Sequence, residues 1–355
     1  MTGLALESLG WNEWFALQSC HCGASDVMAR VAAVDRDQLL LVGEAGSFRA
    51  RLSGKYLHES GSALQRPCVG DWVCVEKSAH DLFGMVHAML DRKTCLRRRA
   101  PGDSAEYQMI AANVDVVIVV QSCHYDFNLK RLERYLVMVK DGGAMPLILL
   151  TKTDLVAPDV LAAQLDEIRR AGITEPVLAL SNVSKEGVDS LRSILAPGKT
   201  YCLVGSSGVG KSTIINALAG RGVHETGDVS GSGEGRHTTV RRELILLENG
   251  AMVIDNPGMR EFGVVGAEGG IEAGYPDILA LASQCRFRDC SHTSEPGCAV
   301  RDALDSGQIS TDHYDNFVKL RQESEHYRMS HAEKRKKDRD FGRFMKSAKK
   351  DLEDD

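Results

Sequence analysis

The chain has 355 residues, of which 43% are hydrophobic and 26% are charged, and its net charge is −6. This length exceeds what one hydrophobic core supports, so we expect a globular protein of two or three domains. The sequence contains neither an apolar run of membrane-spanning length nor the basic and apolar segments of a secretory signal, and we therefore expect a cytoplasmic protein.

Ten cysteines are scattered along the chain. In a cytoplasmic protein this scatter predicts free thiols or metal ligands rather than a disulfide framework. Cys20 and Cys22 flank a histidine, but no second pair of ligands lies nearby. We interpret both thiols as unligated.

The N-terminal part divides into an extension, 1–27, and a β-rich segment, 28–99. We expect much of the extension to be loosely ordered, as chain termini often are. Short alternating apolar runs broken by turns, such as the one containing Val73 and Val75, predict a small five-stranded barrel. The OB-fold, which commonly binds oligonucleotides or structured RNA, is the usual barrel of this size, although barrels of other classes have similar patterns.

From 103 to 264 the pattern changes to alternating strands and helices, which is typical of a parallel α/β sheet. Apolar strands are predicted at 114–120, 145–150 and 176–180, and helices at 129–140, 160–171 and 188–195. The second strand is followed by the sequence TKTD, which begins at Thr151. Open α/β sheets bind ligands at this edge, so TKTD is a candidate binding element.

An N/T-K-x-D element at such an edge recognises guanine in GTPases. Asp154 would accept hydrogen bonds from the ring N–H and the exocyclic amine, a pattern that adenine does not match. Lys152 would lie along the purine, and Ser181 would close the base pocket. TKTD alone often occurs by chance, so its interpretation depends on a phosphate-binding segment elsewhere.

That segment is GSSGVGKST, between the predicted strand 200–204 and a predicted helix. It fits G-x-x-x-x-G-K-[ST], a loop whose backbone N–H groups face nucleotide phosphates. Lys211 is expected to reach the outer phosphates and Ser212 to hold Mg²⁺. The strand–loop–helix context disfavours a glycine-rich turn that matches by chance. The predicted contacts are Gly205, Ser206, Ser207, Gly208, Val209, Gly210, Lys211, Ser212 and Thr213.

Two later segments complete the expected nucleotide site. A glycine-rich polar stretch, 227–239, ends in Thr238 and Thr239, one or the other of which would complete the Mg²⁺ shell. After the next hairpin comes DNPG, in which Asp255 would support Mg²⁺ and the N–H of Gly258 would reach the γ-phosphate. Ordinary GTPases place the guanine-recognition element last, whereas here it comes first. The order predicts a circularly permuted GTPase domain.

We expect the remainder, 265–355, to be a mainly helical zinc-binding domain with a basic tail. This part contains a cluster of three cysteines and one histidine, and three thiolates with one imidazole complete the tetrahedral shell of a structural Zn²⁺. The alternative is that these cysteines are free thiols. The tail, 328–350, carries a charge of +7, which fits a polyanion-binding segment and a solvated helix face equally well. The candidate ligands have the spacing C-x4-C-x-H-x5-C and are Cys285, Cys290, His292 and Cys298.

Taken together, these parts resemble the ribosome small subunit-dependent GTPase A family, also called RsgA or YjeQ. The resemblance covers nearly the whole chain and includes GSSGVGKST, GRHTT, DNPG, CRFRDCSHTSEPGCAV and EKRKKDRDFGRFMKSAKK. It implies three domains: an OB-fold barrel, a circularly permuted α/β P-loop GTPase domain and a helical zinc-binding domain. The implied cofactors are GTP or GDP, Mg²⁺ and one structural Zn²⁺.

The resemblance also implies a partner and a function. Members are bacterial GTPases that bind the small (30S) ribosomal subunit late in its maturation, are stimulated by it and leave after hydrolysis. The barrel and the zinc-binding domain would contact 16S rRNA. We expect a monomer with no DNA or membrane partner.

Several positions bear on the mechanism. Thr151 stands where the family usually has asparagine, and its shorter side chain is expected to weaken contact with the base or the phosphate loop. Met259 follows DNPG in place of the glutamine that aligns water in many small GTPases. By family position, His237 would orient the attacking water and Thr239 would hold Mg²⁺. The alternative role for His237 is that of a surface residue in a loop ordered only on the ribosome.

A second hypothesis remains open at this point. The protein could be a GTP-gated RNA-binding switch in which hydrolysis is incidental and the nucleotide state changes only the affinity for RNA. An ATPase acting on DNA is disfavoured by Asp154, because an aspartate at this position matches guanine.

Overall fold

A computed structural model describes residues 5–36, 38–77, 83–99, 107–220, 242–256 and 268–328. Within these residues, no helix combines the length and the apolar composition needed to cross a membrane.

The N-terminal extension is ordered from Ala5 onwards, which contradicts the expected loose structure. A 3-10 helix (Leu6–Leu9), a helical turn α1 (Glu13–Ala16) and a second 3-10 helix (Ser19–His21) precede the barrel. Leu9 and Phe15 are buried against Trp72 of the barrel. Burial of these apolar side chains offsets the entropy cost of ordering the segment. The segment is therefore ordered although it lies near the N-terminus.

The prediction that the cysteines are free thiols or metal ligands was wrong for Cys22 and Cys74. Cys22 forms a disulfide with Cys74, with a Cα–Cα distance of 5.5 Å, so these two residues are not free thiols. They are 52 residues apart in sequence, and a pairing at that separation is not readable from cysteine spacing. Cys20 is a free, exposed thiol.

A closed five-stranded barrel follows, as the alternating pattern predicted. Its strands pair in the order β1-β2-β3-β5-β4 and close through β4 and β1, with β3 and β5 parallel and the other pairs antiparallel. Inward-facing side chains such as Val31, Val73 and Val86 form its core. The elements are β1 (Val27–Val34), β2 (Leu39–Gly43), β3 (Gly46–Leu52), α2 (Gly54–Glu59), β4 (Trp72–Glu76) and β5 (Gly84–Met89).

A two-stranded antiparallel sheet of β6 (Cys95–Arg99) and β7 (Tyr107–Ala112) joins the barrel to the central domain. At this junction Arg30 is fully buried, and its guanidinium donates to the carbonyl oxygens of Leu9, Gly70 and Asn113. Burial lowers the pKa of Arg30 to about 10, and the charges of Asp115 and Asp71 partly oppose this shift. Arg30 therefore holds the extension, the barrel and the central domain together.

The central domain contributes six strands in the order β10-β9-β8-β11-β13-β12, parallel except for β12. The sheet continues into the barrel, because β12 also pairs with β1 at Glu243 and Ala33. Helices cover both faces: α3 and α4 pack on one face, and α5 and α6 on the other. The elements are β8 (Val116–Ser122), α3 (Leu129–Asp141), β9 (Met145–Thr151), α4 (Pro158–Arg170), β10 (Val177–Ala179), α5 (Val188–Ile194), β11 (Thr200–Val204), α6 (Lys211–Ala219), β12 (Glu243–Leu246) and β13 (Met252–Asp255).

The C-terminal region is helical in its described part, and it packs on α3. Its elements are α7 (Glu268–Gly274), α8 (Pro276–Ala282), α9 (Ala299–Asp305) and α10 (Thr311–Arg328). Phe317 and Leu320 of α10 lie in its apolar core, which also contains Val137 of α3. This core therefore couples the C-terminal region directly to a helix of the central domain.

A buried polar cluster lies at the same interface. His313 bonds through Nδ1 to Glu133 of α3 at 3.0 Å and through Nε2 to Asp277 at 3.1 Å. Burial alone lowers the pKa of His313, but its hydrogen bonds to Asp277 and Glu133 outweigh this effect and raise the pKa to about 9. The same bond lowers the pKa of Asp277. A protonated imidazole thus bridges two carboxylates across the interface.

Candidate functional site

The phosphate-loop sequence forms the predicted strand–loop–helix, because β11 leads into the loop and α6 begins at Lys211. Gly205 has φ 147°, and a Cβ at that position would lie 2.2 Å from the carbonyl oxygen of Val120. The neighbouring strand therefore approaches the loop too closely for any residue but glycine. The loop stands at the carboxyl end of the sheet, where doubly wound folds bind ligands.

Lys211 is folded back into the loop. Its Nζ donates to the carbonyl oxygens of Gly205 at 2.8 Å and Ser206 at 2.7 Å, and the side chain is buried. Burial lowers the pKa of Lys211 to about 8, although the charges of Asp255 and Asp126 partly offset the shift. The lysine is therefore mostly protonated at neutral pH, and the negative charge of incoming phosphate oxygens would compensate for the hydration that burial removes.

Asp255 ends β13, the neighbour of β11, and is buried beside the phosphate loop. Because β13 runs parallel beside β11, the carboxylate predicted to support Mg²⁺ lies at the same edge of the sheet as the phosphate loop, and its charge partly offsets the lowering of the Lys211 pKa. Ser212 and Thr213 lie in the first turn of α6. His237, Thr238, Thr239 and Gly258 lie outside the described residues.

The predicted guanine-recognition element lies at the end of β9. Asp154 sits in a 3-10 turn (Thr153–Leu155) with an exposed side chain, and Ser181 donates a hydrogen bond to its Oδ1. The backbone N–H groups of Val183 and Ser184 donate to the Ser181 hydroxyl at 3.1 Å. Ser181 therefore orients the carboxylate, and the sheet brings the two predicted base-pocket residues into direct contact.

Thr151, which stands where the family usually has asparagine, contacts the phosphate loop through its side chain. Its side chain is buried, and Oγ1 donates to the carbonyl oxygen of Val209 in the phosphate loop at 2.7 Å. It also lies 3.2 Å from the carbonyl oxygen of Gln121. The threonine therefore contacts the phosphate loop directly, and the weaker nucleotide binding expected of it stays a prediction.

Sequence reasoning missed Tyr125, which follows β8. Its hydroxyl accepts a hydrogen bond from Lys152 Nζ at 2.7 Å and donates to the carbonyl oxygen of Gly208 at 3.3 Å. One residue thus touches both the base-recognition element and the phosphate loop. The residue belongs to none of the recognised motifs, and only its position after a strand of the parallel sheet could have drawn attention to it.

The predicted zinc ligands come together in the C-terminal region, with all four ligand atoms within 4.8 Å of one another. His292 Nδ1 lies 3.5 Å from the sulfurs of Cys285 and Cys298, which are themselves 3.9 Å apart. Tetrahedral Zn²⁺ with ordinary bond lengths requires S···N separations of about 3.6 Å and S···S separations of about 3.8 Å. The chemistry of the four donors therefore suits one tetrahedral Zn²⁺, and the separations among Cys285, His292 and Cys298 match its geometry.

Comparisons with known proteins agree with this arrangement. The family model described as RsgA GTPase matches residues 89–265. A protein of Opitutus terrae named small ribosomal subunit biogenesis GTPase RsgA is 41% identical over 90% of each chain. A relative from Vibrio parahaemolyticus, small ribosomal subunit biogenesis GTPase RsgA 2, is 37% identical over 99% of this chain and 94% of its own.

Solved structures give the same fold. YjeQ from Thermotoga maritima matches with a TM-score of 0.62 and 25% identity, over 83% of this chain and 97% of its own. YloQ, described as a circularly permuted GTPase, matches with a TM-score of 0.62 and 23% identity, over 87% of this chain and 98% of its own. These folds confirm the predicted barrel and circular permutation, and the family match together with the names of the relatives confirms the predicted GTPase activity. This chain belongs to the RsgA GTPase family.

Proposed function

We propose that this GTPase acts in late maturation of the small (30S) ribosomal subunit, and that binding to the subunit accelerates its hydrolysis of GTP. The names of relatives that match this chain over 90% and 89% of their own length support this proposal. The main structural support is that Asp154, Ser181 and Lys211 all lie at one edge of the sheet. This edge offers guanine recognition at one end and phosphate binding at the other.

Each side chain in the site has a proposed task. Asp154, oriented by Ser181, selects guanine, and Lys211 neutralises charge that develops on the phosphates. Ser212 and Thr239 would hold Mg²⁺, and Asp255 would support it. His237 orients the attacking water.

The flanking domains supply the proposed partner contacts. The barrel and the zinc-binding domain bind 16S rRNA, while Zn²⁺ on the Cys3His set stabilises the C-terminal domain. The basic tail, of which only Arg328 is described, adds electrostatic attraction to the RNA backbone. The protein works as a cytoplasmic monomer and binds no DNA.

Replacing Lys211 separates an assembly enzyme from a GTP-gated switch. Lys211→Ala should lower hydrolysis and leave the protein trapped on small subunits, because release follows hydrolysis. Co-sedimentation with purified small subunits in GTP measures the trapped fraction, with Lys199→Ala as control because Lys199 pairs with Asp115 away from the phosphate loop. A Lys211→Ala protein that leaves subunits as readily as the control would favour the switch.

A further inference from the structure

Tyr125 occupies the space between the two halves of the expected nucleotide site. It lies in the loop between β8 and α3, and 55% of the residue is exposed. Its hydroxyl accepts from Lys152 Nζ at 2.7 Å and donates to Gly208 O at 3.3 Å. The lysine belongs to the base-recognition element and the glycine to the phosphate loop, so the phenol links two segments that are 56 residues apart.

The contact with Lys152 restrains a flexible side chain. Lys152 has a left-handed backbone conformation with φ 60°, and its Nζ lies 4.7 Å from the Tyr125 ring centroid. A free lysine loses rotamer entropy when it is ordered against a ligand. Because the phenol already fixes the ammonium, the methylene groups of Lys152 are held in place before a purine arrives.

The contact with Gly208 restrains the phosphate loop. A trans peptide unit is planar, with its C=O and N–H pointing in opposite directions. Tyr125 holds the carbonyl of Gly208, so the N–H of Val209 points away from the phenol. Thr151 holds the next carbonyl, that of Val209, in the same manner. Two consecutive N–H groups are thus oriented before an anion binds, as in backbone anion nests.

We propose that Tyr125 is a positioning residue for the guanine nucleotide, one that fixes Lys152 and the phosphate loop in a single relative arrangement. The proposal rests on the base pocket and phosphate site proposed above. Tyr125 contacts the base-side lysine and the middle of the loop. Its removal should therefore affect nucleotide affinity and dissociation more than the chemical step.

The test uses Tyr125→Phe in the full-length protein, which keeps the ring and removes both hydrogen bonds. Dissociation of a fluorescent GDP analogue, the Kd for GDP, and KM and kcat for GTP are measured. We expect GDP dissociation and Kd to rise roughly three- to tenfold, from the loss of two partly exposed hydrogen bonds. The rise in KM should exceed the fall in kcat. Tyr107→Phe is the matched control, because it removes the same hydroxyl from a tyrosine of the β6–β7 sheet, where the ring packs against the Arg97 guanidinium.

A double variant tests how much of the effect depends on the contact between Tyr125 and Lys152. In a Lys152→Ala background the Tyr125→Phe change should cost less affinity, because only the Gly208 contact remains to be lost. The proposal is overturned if Tyr125→Phe leaves GDP dissociation unchanged, if Tyr107→Phe changes it equally, or if kcat alone falls. Base preference of Asp154→Asn is measured in parallel. A switch in base preference with no effect at Tyr125 refutes only the role of Tyr125, whereas no switch refutes the base pocket itself.

Discussion

Replacing Asp154 with asparagine should change which base the protein prefers. A carboxylate accepts from the ring N–H and the exocyclic amine of guanine, whereas the amide NH2 of asparagine is a donor and meets that amine donor to donor. Xanthine carries a carbonyl in place of the amine, which accepts from the same NH2. The variant should therefore lose affinity for GTP and gain relative affinity for XTP.

The structure indicates that the variant keeps its local geometry. Ser181 donates to Oδ1 of Asp154, and an asparagine retains an acceptor oxygen at that position, so the amide nitrogen is left to face the base. One charge-assisted hydrogen bond is lost and one donor is left unpaired, which together cost about 2–4 kcal/mol, or about 30- to 700-fold in Kd for GDP.

Competition binding of GDP, XDP and ADP to wild type and Asp154→Asn measures this change. Ser181→Ala is a graded control, because it keeps the carboxylate but removes its orienting donor. It should weaken GDP binding by about 0.5–1.5 kcal/mol without changing base preference. Equal losses for GDP and XDP in Asp154→Asn, or no loss for either, would refute the assignment of this carboxylate to guanine recognition.

Three further changes test other parts of the structure. Thr151→Val removes the donor to Val209 O and should raise the Kd for GDP several-fold and lower unfolding free energy by about 1 kcal/mol; a denaturation curve and Kd equal to wild type would contradict this contact. Cys298→Ser should reduce bound zinc from one equivalent and lower the melting temperature, and a full equivalent by metal analysis would contradict the ligand set. The raised pKa of His313 predicts stability that is fully present below about pH 6.5 and is lost as pH rises through about 9, by at most about 3 kcal/mol. Denaturant unfolding at pH 6 and pH 9.5 measures it, and His313→Gln should remove most of the difference; equal pH dependence in both proteins would contradict the bridge.

Local chemistry made part of this molecule predictable from sequence. The phosphate loop depends on glycines and a lysine within nine residues, and Gly205 is required by the close approach of Val120. The barrel follows from alternation along single strands, as at Val73 and Val75, since each strand has one face in the core. The clustering of the four candidate zinc ligands was also predictable, because the spacing of metal-binding residues is a local property.

Features that depend on contacts between distant segments were missed. Tyr125, the disulfide of Cys22 with Cys74, and the bridge of His313 to Glu133 each join residues that only the tertiary fold brings together. No short pattern distinguishes these residues from surface ones. The ordered N-terminal extension was missed for the same reason, because its stability comes from burial against the barrel rather than from its own helical propensity.

The most direct test of the proposed function is GTP turnover by the purified protein with and without purified small ribosomal subunits, at one fixed salt concentration. Salt must be fixed because binding to RNA through basic residues depends strongly on it. The account predicts a rise of about a hundredfold or more, equivalent to ~2.7 kcal/mol off the barrier. A flat rate in a protein that still binds GDP tightly would contradict activation by the subunit.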